Sequence, residues 1–341
     1  MNRMVPFAVC AIVLASAVCT TAQMKELKLS PANVHWDSFD ARTKPALRVA
    51  SGDNIRVETM LYGFDRLKML GVPDADIPSA LIEVANSRKE GPGGTPLTGP
   101  IYVEGAEPGD VLEVRILRLE FIHPYGWTQF RPGRGTLPND FPYFRIKLIK
   151  FNPEAGTAEF GHGLNLKLSP FWGTIGVAPP VVNGRVPIDP GPNGGNFDNK
   201  ELTAGSTLYL PVHVPGALLS IADGHGLQGD GEVSVAAAET SLRGTVQVIL
   251  RKGKQILWPR AETPTHFISM GLNADLDEAA RMAVREMIDF LTSEKGMSRD
   301  EAYLLCSLAA DLHVTQTVSS NKGVHAMLPK FIFEQTSHPN R

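Results

Sequence analysis

Cysteine is scarce in this 341-residue chain, with three in all. Cys10 and Cys19 lie in an apolar N-terminal stretch, which leaves Cys306 alone in the remainder and excludes an internal disulfide there. Cys306 falls in the apolar phase of a helical pattern with Ala302, Leu305 and Ala309, so it is read as a buried structural thiol rather than a nucleophile. Basic charge is not in excess: 33 Lys and Arg stand against 36 Asp and Glu, a net charge of -3, with no basic stripe. Nucleic acid is therefore not an expected partner. Past the N-terminus no run is long and apolar enough to cross a membrane, and no Gly-x-Ser-x-Gly elbow is present.

The N-terminus looks like a secretory leader. Arg3 supplies positive charge, Val5 to Val18 is almost unbroken apolar sequence, and Thr20-Thr21-Ala22 offers small residues at a cleavage site near Ala22-Gln23. Val18 before Cys19 fits a lipoprotein signal poorly. Residues 1–22 are thus expected to be a signal peptide, and the protein to be exported to the periplasm or the extracellular space, with no membrane attachment after cleavage.

Turn formers and short β-type runs are what the chain does have. It holds 32 Gly and 26 Pro, and 43% hydrophobic residues are enough for a sizeable core. Asn54 to Met60, Asp110 to Leu117, Tyr143 to Phe151, Ser206 to Val214 and Thr245 to Arg251 read as strands separated by Gly/Pro clusters. Ala50-Ser51-Gly52-Asp53 and Glu107-Pro108-Gly109-Asp110 each place a Gly-Asp turn before a strand, with Ala204-Gly205-Ser206 a looser version. From Asp275 to Thr292 apolar residues recur at 276, 279, 280, 283, 284, 287, 288 and 291, the stripe of an amphipathic helix. Asp275 can cap its start and Gly296 close its end. Ser298 with Glu301 forms a capping box for a second helix reaching about Leu312, followed by strand-like Val314 to Val318 and Gly323 to Phe333. The fold class is mainly β: a β-sandwich core over residues 23–270, with a smaller α+β portion over 271–341 packed on it. Exposed strand edges in such a chain favour a homo-oligomer.

Candidate chemistry is concentrated in Gly-rich sequence. Pro190 to Asp198, Ser220 to Glu232 and Ala238-Glu239-Thr240 hold Asp, Glu and His beside glycines that allow close backbone approach to a ligand. Asp223 and His225 are two residues apart, so on a strand both could reach one cation. Spacing alone leaves the plainer reading open, in which Asp-Gly-His is a turn with Asp bonded to its own backbone.

Several long blocks occur in an order similar to that of the acetamidase/formamidase family, over nearly all of the chain after the leader. They include His35-Trp36-Asp37, Gly99 to Asp110, Phe171-Trp172-Gly173-Thr174, Gly194-Gly195-Asn196-Phe197-Asp198, Asp223-Gly-His225-Gly-Leu-Gln228 to Glu232, and Asp311 to Gln316. The resemblance implies a β-sandwich and hydrolysis of a short aliphatic amide, such as formamide or acetamide, to carboxylate and ammonia with a divalent metal ion. It places Asp198, Asp223 and His225 at the metal, with zinc the first choice and calcium the second, since no thiolate narrows the range. Glu239 is then the expected general base, with Glu232 in reserve; Asn196 and Gln228 would orient the amide, and Trp36 would help wall the pocket. The segments 91–98 and 123–140 depart from the family pattern, which opens a reading as an amidase for a larger or cyclic amide. A calcium-stabilised, non-catalytic binding module is the remaining alternative.

Overall fold

Along Leu242–Arg251 every second residue is buried from Leu242 to Val248, the period of a strand with one face on a core. A computed structural model describes residues 24–88 and 94–334. The leader-like segment 1–22 and Gly91 to Gly93 of the divergent 91–98 segment lie outside the described residues. No helix among the described residues is long and apolar enough to cross a membrane.

Two large sheets form the body. The first has nine strands, in the order Met24–Leu27, Asn54–Glu58, Leu242–Arg251, Val111–Phe121, Thr207–Pro211, Arg260–Glu262, His266–Asn273, Lys322–Pro329 and Asp311–Gln316. The second runs from Leu164–Lys167 through Thr157–Gly161, Arg145–Asn152, Tyr125–Phe130, Glu239–Thr240, Leu219–His225 and Phe171–Gly176 to Gly194–Asn196, and Pro96–Val103 branches from it at Leu219–His225. One apolar core lies between them. Val114, Ile116, Leu208, Val246 and Val248 of the first sheet meet Trp172, Ile175, Leu219 and Ile221 of the second. This is the expected sandwich. Leu219–His225 is buried at all seven positions, as a strand covered on both faces must be.

The expected Gly-Asp turns share one construction. Asp53 Oδ2 accepts a hydrogen bond from Ala50 N at 2.9 Å, and Asp110 Oδ2 accepts one from Glu107 N at 2.8 Å. Gly52 and Gly109 supply φ of 97° and 92° inside these turns.

The helical stripe forms Leu276–Lys295, with Asp275 capping Glu278 N and left-handed Gly296 at its end. Arg299–Ala309 follows behind the complete Ser298/Glu301 capping box. It ends three residues before Leu312, because Asp311 and Leu312 enter a strand and pair with Met327 and Ala326. The boundary expected at residue 270 falls inside the strand His266–Asn273, and the C-terminal strands extend the nine-stranded sheet. The long helix covers that end of the sheet through Ala279, Ala283, Met287 and Leu291 against Ala326 and Leu328. Two shorter helices, Asp65–Met69 and Ser79–Ser87, belong to a satellite core with Leu61, Tyr125 and Trp127. Cys306 is buried and free.

Candidate metal centre and active site

The site begins on the buried strand Leu219–His225, where Asp223 takes a φ of 61°. Asp198, after Gly194–Asn196, and Glu232, in the Gly-rich loop, also have positive φ, of 52° and 44°. Such backbone is uncommon for residues with a side chain and concentrates at functional sites. Here it brings three acids around the His225 imidazole. Glu239 arrives from the neighbouring strand, directly opposite His225 in the register. Asp198, His225 and Glu232 form one group able to hold a cation, and Asp223, His225 and Glu239 form another that shares the same imidazole. All five residues are buried.

The hydrogen bonds set the roles of the atoms. Gln228 Nε2 donates to the Asp198 carbonyl at 2.7 Å, so its Oε1 faces His225 Nδ1 at 3.0 Å and accepts that N–H. His225 Nε2 is left pointing at Asp223 Oδ2, 3.4 Å away, and at Glu239 Oε2, 3.5 Å away. Asn196 Nδ2 donates to Asp198 Oδ2 at 2.5 Å, and Thr174 Oγ1 donates to the Asn196 side-chain oxygen. Ala237 N donates to Glu239 Oε1 at 3.1 Å. Asp198 and Glu239 are thus each held through one oxygen while the other is left without a partner. Asp198 Oδ1, His225 Nε2 and Glu239 Oε2 are buried and have no hydrogen-bond partner. Buried polar atoms without partners are costly, and several carboxylates around one imidazole nitrogen call for a cation.

Electrostatics says the same. Burial, together with the Glu232 and Asp223 charges, raises the Asp198 pKa well above the ordinary range. Burial raises those of Glu232 and Glu239 as well, against the opposing pull of His225. Burial alone would lower the His225 pKa, but the Glu239 and Asp223 carboxylates outweigh it and raise it well above normal. The donor set of carboxylate oxygens and one imidazole fits a divalent cation such as zinc or calcium.

Gly173 makes room for the cluster. A Cβ there would lie 2.6 Å from Asp198 Oδ1 and 2.9 Å from Asp223 Oδ2. The centre opens on a cavity of about 260 Å³ lined by Asn196, Asp223, Glu232 and Glu239, with Tyr62, Arg131, Arg134 and Ser319–Ser320 on its other walls.

The structure therefore gathers Asp198, Asp223, His225, Glu232, Glu239, Asn196 and Gln228 in one place. Gln228 sits behind His225, holding the ring rather than lining the cavity. Trp36 is elsewhere: it lines a neighbouring cleft with Val34 and His35, and the Arg88 guanidinium lies 4.9 Å above its ring. Trp127 and Trp172 are fully buried in the cores. Arg131, Arg134, Tyr62 and the Ser319–Ser320 turn escaped the sequence reading, since no local pattern marks residues that meet only through the fold. Gly173 was visible within its block, but not its task.

A two-sheet sandwich that buries a cluster of Asp, Glu and His side chains defines a β-rich protein with a candidate cation centre. The acetamidase/formamidase family model matches residues 45–182 and 181–335, and the chain belongs to that family. It is 31% identical to a predicted acetamidase/formamidase of known structure from the thermophile Thermoanaerobacter tengcongensis, with a TM-score of 0.79 over 92% of this chain and 98% of that one. It is also 29% identical to a putative formamidase of Schizosaccharomyces pombe over 46% of this chain and 52% of the relative. Its match to an acetamidase of Mycolicibacterium smegmatis is 28% identical over 42% of this chain and 50% of that one. The chain spans about half the length of these last two relatives.

Proposed function

We propose that this protein is a metal-dependent amide hydrolase that converts an amide to carboxylate and ammonia. One observation carries the reading: the partnerless buried atoms of Asp198, His225 and Glu239 belong to two groups able to hold a cation that share the His225 imidazole, beside a cavity large enough for a small amide. Family membership, and the names of the relatives, support the same chemistry. Asp198, Asp223 and His225 would hold the ion, with Glu232 completing the set. A divalent cation held there supplies Lewis-acid polarisation of the amide carbonyl and greater acidity of water. Glu239, with Oε1 held by Ala237 N and Oε2 free, is placed to take a proton from water and pass it to the departing ammonia. Asn196 lines the cavity and can orient the amide, although its main contacts are to Thr174 and Asp198. Gln228 keeps His225 Nε2 aimed inward.

Zinc is the first choice of ion in this reading and calcium the second. Export is supported by the leader-like N-terminus, and homo-oligomerisation by the open edges of both sheets.

The test is ammonia release from formamide, acetamide and propionamide by the protein as purified, after chelation, and after adding back zinc or calcium. Release lost on chelation and restored by one ion is the expected result. A folded, metal-loaded protein inert on all three would move the substrate to a larger or cyclic amide.

A further inference from the structure

We infer that the preferred substrate is an amide that carries a second, anionic group, and that Arg131 is the residue that selects it. The inference rests on the amidase reading above and deepens it. Arg131 and Arg134 line the same cavity as Asp223, Glu232 and Glu239. Among the described residues neither guanidinium has a hydrogen bond or an ion pair, and Arg131 Nε is buried without a partner. Arg131 is half-buried on the cavity wall, whereas Arg134 is exposed at its mouth.

Their segment is not loose. Thr136 N donates to the Val233 carbonyl at 2.9 Å, next to Glu232. Thr136 Oγ1 lies 2.5 Å from Thr317 Oγ1. Gly135, at φ 85°, approaches so closely that a Cβ would come within 2.8 Å of the Val233 carbonyl. The turn is therefore pinned to the same loop that carries an acid of the centre, which sets the arginines at a defined offset from it.

A guanidinium is always charged and matches a carboxylate with two parallel N–H donors. Left alone beside a cavity, it is a receptor for an anion. The cavity of about 260 Å³ is also generous for formamide or acetamide, and an omega-amido acid would span from the metal centre to the wall. The competing account is that both arginines merely offset the negative charge of the four carboxylates. That account predicts no dependence on substrate charge.

The experiment compares succinamate with butyramide, a neutral amide of similar length, in the metal-loaded protein and in Arg131→Met, Arg131→Lys and Arg134→Met. In wild type, kcat/KM for succinamate should exceed that for butyramide about tenfold or more, the scale of one well-placed charge pair. Arg131→Met should collapse that ratio toward one, Arg131→Lys should keep part of it, and added salt should raise KM for succinamate selectively. Equal use of the two amides, or a loss in Arg131→Met that falls equally on both, would overturn the inference and leave the arginines as charge balance. If no amide is hydrolysed, the amidase reading fails separately. Calorimetric binding then decides this one: succinamate bound in preference to butyramide and weakened by Arg131→Met supports it, and no such preference ends it.

Discussion

At the scale of single residues, the centre is a set of buried acids around one imidazole, two of them, Asp198 and Glu239, held through one oxygen each. Replacing Glu239 with Gln removes the proposed base while keeping the bond from Ala237 N, so turnover should fall by roughly 10² to 10⁴ with no loss of melting temperature. Metal analysis of Asp198→Asn and His225→Ala should show loss of the bound ion; full retention in both would remove these residues from the site. Gly173→Ala should weaken metal binding, because the added methyl meets the Asp198 and Asp223 carboxylates, while leaving the sheet paired. The raised pKa values carry a sign. Glu232, pushed up by burial, and Glu239 are stabilising in the metal-free protein only while protonated, so that contribution is present below the ordinary carboxylate range and is lost as pH rises through the raised values. The melting temperature of chelated protein should therefore fall from pH 5 to pH 8, and the gain on adding the ion should grow over the same range. A gain independent of pH would argue against a cation among these acids. At this scale the sequence was partly legible. The i, i+2 spacing of Asp223 and His225 suggested a shared target, but the left-handed turn at Asp223 shows that more than strand alternation brings them together.

At the scale of elements, local grammar was the most readable part of the chain. The helix Leu276–Lys295, its Asp275 cap, its Gly296 stop and the Ser298/Glu301 box all follow from nearby residues. Ser298→Ala should cost about 1 kcal/mol in chemical denaturation, the usual value of a lost N-cap. Gly271 is different: the long helix lies directly on it, and a Cβ would come 1.8 Å from the Ala279 carbonyl. Gly271→Ala should therefore cost at least ~1–3 kcal/mol through overpacking, and a near-neutral effect would mean the helix docks less tightly than described. No periodicity marks such a glycine, because its partner is 8 residues away on another element. The short helices Asp65–Met69 and Ser79–Ser87 were not foreseen for the same reason. They are stabilised by packing into the satellite core with Leu61 and Trp127 more than by pattern.

At the scale of the whole molecule, the C-terminal portion is continuous with the body rather than appended to it. Its strands complete the nine-stranded sheet, and its Val318–Ser320 turn lines the cavity beside Asp223 and Glu239. The fold also buries His123 and His325 and half-buries His35, all as uncharged rings. Burial lowers His35 and His123 to about 4 and His325 to about 3. Because the unfolded chain binds those protons near pH 6.5, their contribution is fully present above that value and is lost as pH falls toward 4. Urea unfolding of metal-loaded protein should show that fall, and His123→Gln should make it shallower. An unchanged slope in the variant would show that His123 is not buried as a neutral ring.

By itself the sequence determined the strand-rich class, the turn chemistry of Asp53 and Asp110, the C-terminal caps, and the stretches in which the acids and the imidazole lie. These depend on residues a few positions apart, and local backbone physics ties them to their neighbours. Tertiary structure alone decided that Trp36 faces a different cleft, that Gln228 supports His225 from behind, that Gly173 is the floor of the centre, and that Arg131 lines the same cavity as Glu239. Most of these rest on residues far apart in the chain, whose meeting is set by sheet register and by the packing of one sheet on the other; Gln228 is near His225 in sequence, but its other contact, to the Asp198 carbonyl, crosses from a distant segment.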